Sequence, residues 1–361
     1  MGFQTFLGNE NAVAGLRSML SAQSVPGALL FAGPDGVGKK TLAIALAKAL
    51  NCETFHDDYC GECRHCRKAE EMLALSRDDL ARRRQMKDAG RRAEGLVYFD
   101  VQLIEPITRF ILIEQVRQLR SAAYAFPFEL RNRVFIIDQA QTIHWQATDL
   151  LLKVLEEPPQ TTRFVLICPN LSELRPTLRS RCQRISFHPV AGSVVQKLLK
   201  EEKRIPASQL ELATGICDGS IAAAKGLDLA DFERRRKPWV DFLNGVASAR
   251  GRSVTPGDWK TLFESAKALA DTRNELEASL RIGHSLLRDL LLILETGVAD
   301  RVQNRDLVPR LDGWAASLGM PGVEKLKSGL DETYRLQTRN INQQIAWESL
   351  AVECISQKAA P

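Results

Sequence analysis

Gly33-Pro34-Asp35-Gly36-Val37-Gly38-Lys39 lies between a short apolar run, Ala28 to Ala32, and a stretch in which Leu42, Leu46, Ala49 and Leu50 recur at helical spacing. Strand, glycine loop and helix in that order leave few folds open. The pattern G-x-x-x-x-G-K wraps backbone N–H groups around phosphates at a helix N-terminus, and its lysine reaches toward the terminal ones. The candidate nucleotide-contacting residues are therefore Gly33, Gly36, Gly38, Lys39 and Thr41, with Asp138 at the end of a second apolar run, VFIID.

Further buried-strand candidates are Arg133 to Asp138, Arg163 to Ile167 and Arg184 to Phe187, each apolar with little alternation. Trp145 to Glu157 is helix-periodic until Pro158 and Pro159 stop it. Strands alternating with helices imply a mostly parallel sheet. After His188 and Pro189 the strand signals fade. Val194 to Glu202, Ala207 to Ala213 and Ser220 to Leu227 read as a small helical unit, and longer helical patterns follow, including Asn274 to Glu295 and Asp331 to Gln357.

A length of 361 residues fits two or three domains at roughly 100–200 residues each. With 45% hydrophobic and 26% charged residues, the chain is neither collagen-like, disordered nor a disulfide scaffold. No apolar run reaches the roughly 20 residues of a bilayer span, and MGFQTFLGNE lacks the pattern of a secretory signal, so no membrane and a cytoplasmic location are expected. The formal charge of +5 permits DNA contact without demanding it. Arg77 to Arg92 and Glu233 to Lys237 are basic, and each reads as a solvated helix face with no function assigned.

Two departures mark the phosphate loop. The residue after Lys39 should offer a hydroxyl to magnesium and is Lys40, whose ammonium cannot coordinate a cation. Thr41 points about 100° away on a helix and does not substitute. Gln139 follows Asp138, where a carboxylate would polarise the attacking water, and losing a general base costs roughly 10²–10⁴ in rate. Water-mediated metal binding and a water-positioning glutamine stay open as milder readings. The expectation is slow or absent ATP hydrolysis, with magnesium-ATP binding weak or absent.

Cys52, Cys60, Cys63 and Cys66 place four thiols within fifteen residues, C-x7-C-x2-C-x2-C. Four thiolates complete a tetrahedral structural zinc site and leave no position for a reactive water. An iron–sulfur cluster or free thiols are the other readings. Cys168, Cys217 and Cys354 read as small core residues, and His56 and His65 as surface residues. Arg181, in Ser180-Arg181-Cys182, has no role that spacing alone assigns, and a surface ion pair accounts for most such arginines.

Phe6-Leu7-Gly8-Asn9, GPDGVGKKTLA, the four cysteines, RVFIIDQAQ, LLKVLEEPP and LRPTLRSRC together resemble the AAA+ clamp-loader subunits of bacterial DNA polymerase III. The match covers residues 3–188 and continues more weakly through Gly219-Ser220 and RNINQQIAWESL. The resemblance implies an α/β AAA+ P-loop domain with a parallel sheet and zinc module (1–188, module about 52–66), a small helical lid (189–228) and an all-α collar (229–361). It implies that Arg181 is an arginine finger acting in trans on a neighbour's ATP. It further implies as partners gamma/tau motor subunits, the delta subunit, the sliding clamp and, through the assembled complex, primer-template DNA. Lys40, Gln139 and the Ala222-Ala223 pair, where an active member would place a nucleotide-sensing arginine, point to the delta-prime type. An active gamma/tau-type ATPase and a solitary zinc-bearing DNA-binding protein are the alternatives.

Overall fold

Five parallel strands, β1 (Ala28–Ala32), β2 (Val101–Ile104), β3 (Arg133–Ile137), β4 (Thr162–Cys168) and β5 (Gln183–Ser186), form one sheet in the order β2-β3-β4-β1-β5 in this computed structural model. Every residue of β1, β2 and β3 is buried, as a sheet covered on both faces requires. On one face Leu29, Phe31, Val134, Ile136 and Val165 pack against α1 (Glu10–Ser21), α2 (Lys39–Ala49) and α3 (Arg64–Gln85) through Leu16, Leu46 and Leu73. On the other, Leu30, Phe135, Phe164 and Leu166 meet Leu119 of α4 (Ile113–Ala123) and Leu151 and Leu155 of α5 (Trp145–Glu156). Alternate residues of β1, β3 and β4 thus feed two separate cores. Helix α6 (Pro176–Arg179) begins at a proline and leads into β5. This is the expected α/β P-loop architecture with a parallel sheet.

The structure describes residues 2–86, 90–203, 205–250, 253–270, 276–297, 302–336 and 342–356. It divides into one unit of Met1–Val194 with Gly219–Ala223 and another of Val195–Asp218 with Ala224–Pro361. Past the sheet the described elements are helical: α7 (Gly192–Glu202), α8 (Leu210–Cys217), α9 (Ile221–Gly226), α10 (Leu229–Ala249), α11 (Pro256–Ala270), α12 (Leu276–Thr296), α13 (Val308–Leu336, kinked at Gly319) and α14 (Gln343–Ser356). Trp239, Phe242, Leu286, Leu326 and Trp347 belong to one core built by α10, α11, α12, α13 and α14, with the indole rings of Trp239 and Trp347 edge to face at 5.1 Å. Among the described residues no helix is long and apolar enough to cross a membrane.

The structure corrects several sequence expectations. Asp331 to Gln357 is not one helix: α13 ends at Leu336 and α14 starts afresh after Asn342, whose side chain accepts from the N–H groups of Gln344 and Ile345 at 3.1 and 3.4 Å. Residues 337–341 and Gln357 lie outside the described residues. Nor is Arg77 to Arg92 simply a solvated face. Arg83 is 9% exposed and bonds Asp79 and the carbonyls of Arg92, Glu94 and Gly95, and Arg84 bonds Glu105 and the carbonyl of Pro106. Residues 87–89 of that stretch lie outside the described ones. In the second basic run Arg236 is buried and forks onto Asp306 at 2.9 and 2.6 Å.

Candidate functional site

The phosphate loop leaves β1 at Ala32 and enters α2 at Lys39. Gly36 and Gly38 have φ of +76° and +97°, which side chains rarely adopt. A Cβ on Gly38 would lie 2.6 Å from the Phe6 ring, and one on Gly36 would strike the Ser220 hydroxyl at 1.9 Å. The segment Gly219–Ala223 therefore seats directly on the loop, with the Ala222 N–H donating to the Gly36 carbonyl at 3.1 Å. Ala222 and Ala223 bring no cation to this face.

Lys39 is 6% exposed and turns back on the loop, donating to the carbonyls of Gly33 and Pro34, the latter at 2.6 Å, with Asp35 at 3.5 Å. Burial lowers its pKa, against the opposing pull of Asp35. Lys40 follows a different course. Its ammonium pairs with Glu105 and lies 3.2 Å from Asp138 Oδ2. Thr41, one residue further along α2, is exposed. Gln139 caps a short turn in the left-handed region at φ +55°, and its side chain is exposed.

Magnesium, which loops of this class hold through a hydroxyl and a strand-end aspartate, does not fit these residues. The hydroxyl is missing, and a fixed ammonium sits against the aspartate that would receive the ion. Glu105 escaped the sequence reading because β2 itself did. Its run is interrupted by Gln102, a buried polar residue that donates to Ser76 Oγ at 2.9 Å, and is preceded by buried Asp100. Burial would raise the Glu105 pKa, yet Lys40 and Arg84 hold it below the usual carboxylate range.

The four cysteines converge between α2 and α3. All four Sγ atoms lie within 4.8 Å of one another, with Cys52–Cys60 at 3.8 Å and Cys60–Cys66 at 4.0 Å. A tetrahedron of ~2.3 Å zinc–sulfur bonds has edges of about 3.8 Å, so this donor set fits zinc. The N–H groups of Cys63 and Glu62 point at Cys60 Sγ at 3.2 and 3.4 Å. Against the effect of burial, they bring the Cys60 thiol down to about 6. The cluster can hold a structural zinc, which would tie the end of α2 to the start of α3. His65 is not a free surface group, since its Nδ1 lies 3.0 Å from the Asn51 carbonyl.

Arg181 follows α6 and is exposed. Its Nε donates to Glu156 Oε1 at 2.6 Å, and its Nη1 to the Thr177 carbonyl at 3.0 Å. It belongs to the same unit as the loop, but its guanidinium is bonded to Glu156, Thr177 and Ser180 and not to Lys39, Lys40 or Asp138.

Residues 8–191 match the family described as DNA polymerase III, delta subunit. The tau subunit of DNA polymerase III from Bacillus subtilis (strain 168) is 24% identical over 97% of this chain and 56% of its own length. That of Salmonella typhimurium is 31% identical over 62% of this chain and 32% of its own. The chain thus spans about a third to just over half of the length of these curated relatives. Among solved structures, a gamma subunit-related protein from Thermotoga maritima aligns over 96% of this chain and 100% of that one, at 15% identity and a TM-score of 0.44. A family match over more than half of its residues, on a P-loop domain with a four-cysteine module, makes this chain a member of the DNA polymerase III delta-subunit family, within the AAA+ clamp-loader group.

Proposed function

We propose that the chain is a delta-prime-type subunit of the DNA polymerase III clamp loader, silent as an ATPase in its own pocket, that lends Arg181 to the ATP of a neighbouring motor subunit. One observation carries the reading: the position that should ligate magnesium holds the Lys40 ammonium against Asp138. Gln139, with no basic oxygen comparable to a carboxylate, weakens water activation further. Arg181, by contrast, is exposed, with its guanidinium on Glu156 and not on the loop. An arginine supplied in trans neutralises charge on the transferring phosphoryl group and is worth roughly 10³–10⁵ in rate in other phosphoryl-transfer systems.

In this reading the partners are gamma/tau motor subunits, the delta subunit, the sliding clamp and primed DNA, in a cytoplasmic complex. Residues 1–188, 189–228 and 229–361 act as nucleotide-fold, lid and collar domains, and Cys52, Cys60, Cys63 and Cys66 hold the zinc. Reconstitution with motor subunits, delta, clamp and primed DNA tests it. Arg181→Ala should leave assembly intact and cut the complex's ATPase at least about tenfold. An unchanged rate in an assembled complex rejects the finger. The relatives bearing the names tau and gamma favour a second reading, an active gamma/tau-type ATPase. Steady-state turnover by the chain alone that Lys39→Ala abolishes would establish that reading instead.

A further inference from the structure

Strand register sets Ile104 beside Ile137 at the ends of β2 and β3, so the next residues, Glu105 and Asp138, form an acidic pair at the mouth of the loop. The Lys40 ammonium closes on both. The remaining oxygens are also taken: Glu105 Oε2 accepts from Arg84 at 2.7 Å, and Asp138 Oδ1 from the Gln139 N–H at 3.0 Å. Two carboxylates against one ammonium and one guanidinium sum to zero. A divalent ion arriving here meets no net attraction and a fixed positive charge at contact distance.

The phosphate side of the loop has kept its chemistry. Among the described residues none accepts from the N–H groups of Asp35, Gly36, Val37 or Gly38, so four donors remain open at the N-terminus of α2. Among the described residues Lys39 is bound to the carbonyls of Gly33 and Pro34 and to the outer carboxylate of Asp35, neutral or exposed partners that a phosphate can displace.

We infer that Lys40 is a tethered replacement for the divalent cation, so that this loop takes a metal-free nucleoside polyphosphate and magnesium opposes binding instead of assisting it. A bare polyphosphate is more negative than its magnesium complex and is the better partner for Lys39 and the open amides. The complex would bring its ion against the Lys40 ammonium. The inference deepens the proposed function, resting on a pocket that does not consume ATP during the measurement.

Calorimetric titration of the full chain with ATP, once in EDTA and once in excess magnesium, tests this without any variant. Binding about tenfold tighter in EDTA is expected. Equal or tighter binding in magnesium, or no saturable heat in either buffer, overturns the inference. Lys40→Thr removes the ammonium and restores the hydroxyl, and magnesium should then tighten binding about tenfold; a variant that still prefers EDTA overturns the assignment to Lys40. Should Lys40→Thr fail to fold, Lys40→Arg keeps a cation and must keep the EDTA preference. Magnesium-assisted binding without turnover defeats only this inference, whereas brisk hydrolysis by the wild-type chain defeats the proposed function.

Discussion

The guanidinium of Arg181 rests on the carboxylate of Glu156, the last residue of α5, with Nε 2.6 Å from Oε1. Its Nη1 is held by the Thr177 carbonyl and the Ser180 hydroxyl, so all three nitrogens are engaged within the chain. Acting in trans, Arg181 would exchange Glu156 for a phosphate. Ion pairs this exposed are worth about 0–1 kcal/mol, and the exchange is correspondingly cheap. Glu156→Gln should therefore raise the ATPase of a reconstituted complex by no more than about fivefold, far less than the loss expected for Arg181→Ala. A Glu156→Gln complex as slow as Arg181→Ala would instead make Glu156 part of the phosphate-facing machinery.

Metal removal bears on the cysteine module. Cys52 and Cys66 are 4% and 1% exposed, at the end of α2 and the start of α3, so the site joins helices that pack beneath the sheet. Structural zinc contributes its binding free energy to folding. The purified chain should carry about one zinc, and stripping it with a strong chelator should lower the melting temperature by at least about 5 °C, reversibly on zinc return. Cys60→Ser should reproduce the loss. Elemental analysis and thermal melts together decide it, and metal-free protein with an unshifted melt would exclude a structural zinc.

Asp100 and Arg133 show what the sequence left hidden. Asp100 is 1% exposed, pairs with Arg133 at 2.8 Å, and accepts from the N–H groups of Phe128, Glu129 and Leu130. Burial works against its charge, but the Glu129 amide and Arg133 win and hold its pKa below the ordinary aspartate range. A carboxylate depressed in the folded state contributes stability that is fully present above its unfolded pKa, about 3.9, and is lost as pH falls below that value. Asp100→Asn should cost about 3 kcal/mol at neutral pH, and its deficit relative to wild type should shrink in acid. Urea melts at neutral pH and near pH 3 read both effects; a deficit independent of pH would mean the amide is lost for steric reasons only.

The features legible in the sequence were those fixed by local pattern. The glycine loop, ALLFA and RVFII announce themselves because a doubly covered strand must be apolar throughout, and the cysteine spacing because one metal must be reached from one loop. What depends on partners distant along the chain was not legible. β2 carries Gln102, tolerated inside because Ser76, 26 residues away, accepts from its amide and its side-chain carbonyl oxygen accepts from the Phe99 N–H. The meaning of Lys40 lies in Glu105, 65 residues on, and no periodicity connects the two. Helix counting likewise overran Asn342, whose capping bonds to α14 are a three-dimensional fact.

The basic stretch in α3 separates structural from solvated charge. Arg83 spends its guanidinium on Asp79 and on three carbonyls of the segment that follows, whereas the side chain of Arg82 is 78% exposed and, among the described residues, pairs with Asp79 at 3.4 Å. Removing Arg83 takes the guanidinium donor from three carbonyl oxygens and the partner from Asp79, and losing a hydrogen bond to a charged group costs about 1.5–3 kcal/mol. Arg83→Ala should thus lose about 3 kcal/mol of stability, while Arg82→Ala stays within about 0.5 kcal/mol. If a DNA-binding measurement on the assembled complex shows an effect of this stretch, it should follow Arg82 and Arg77, whose cations face solvent, and weaken with salt. Equal stability of the Arg82→Ala and Arg83→Ala proteins in urea would contradict the anchoring role given to Arg83, and with it the division of this helix into an inner and an outer row of arginines.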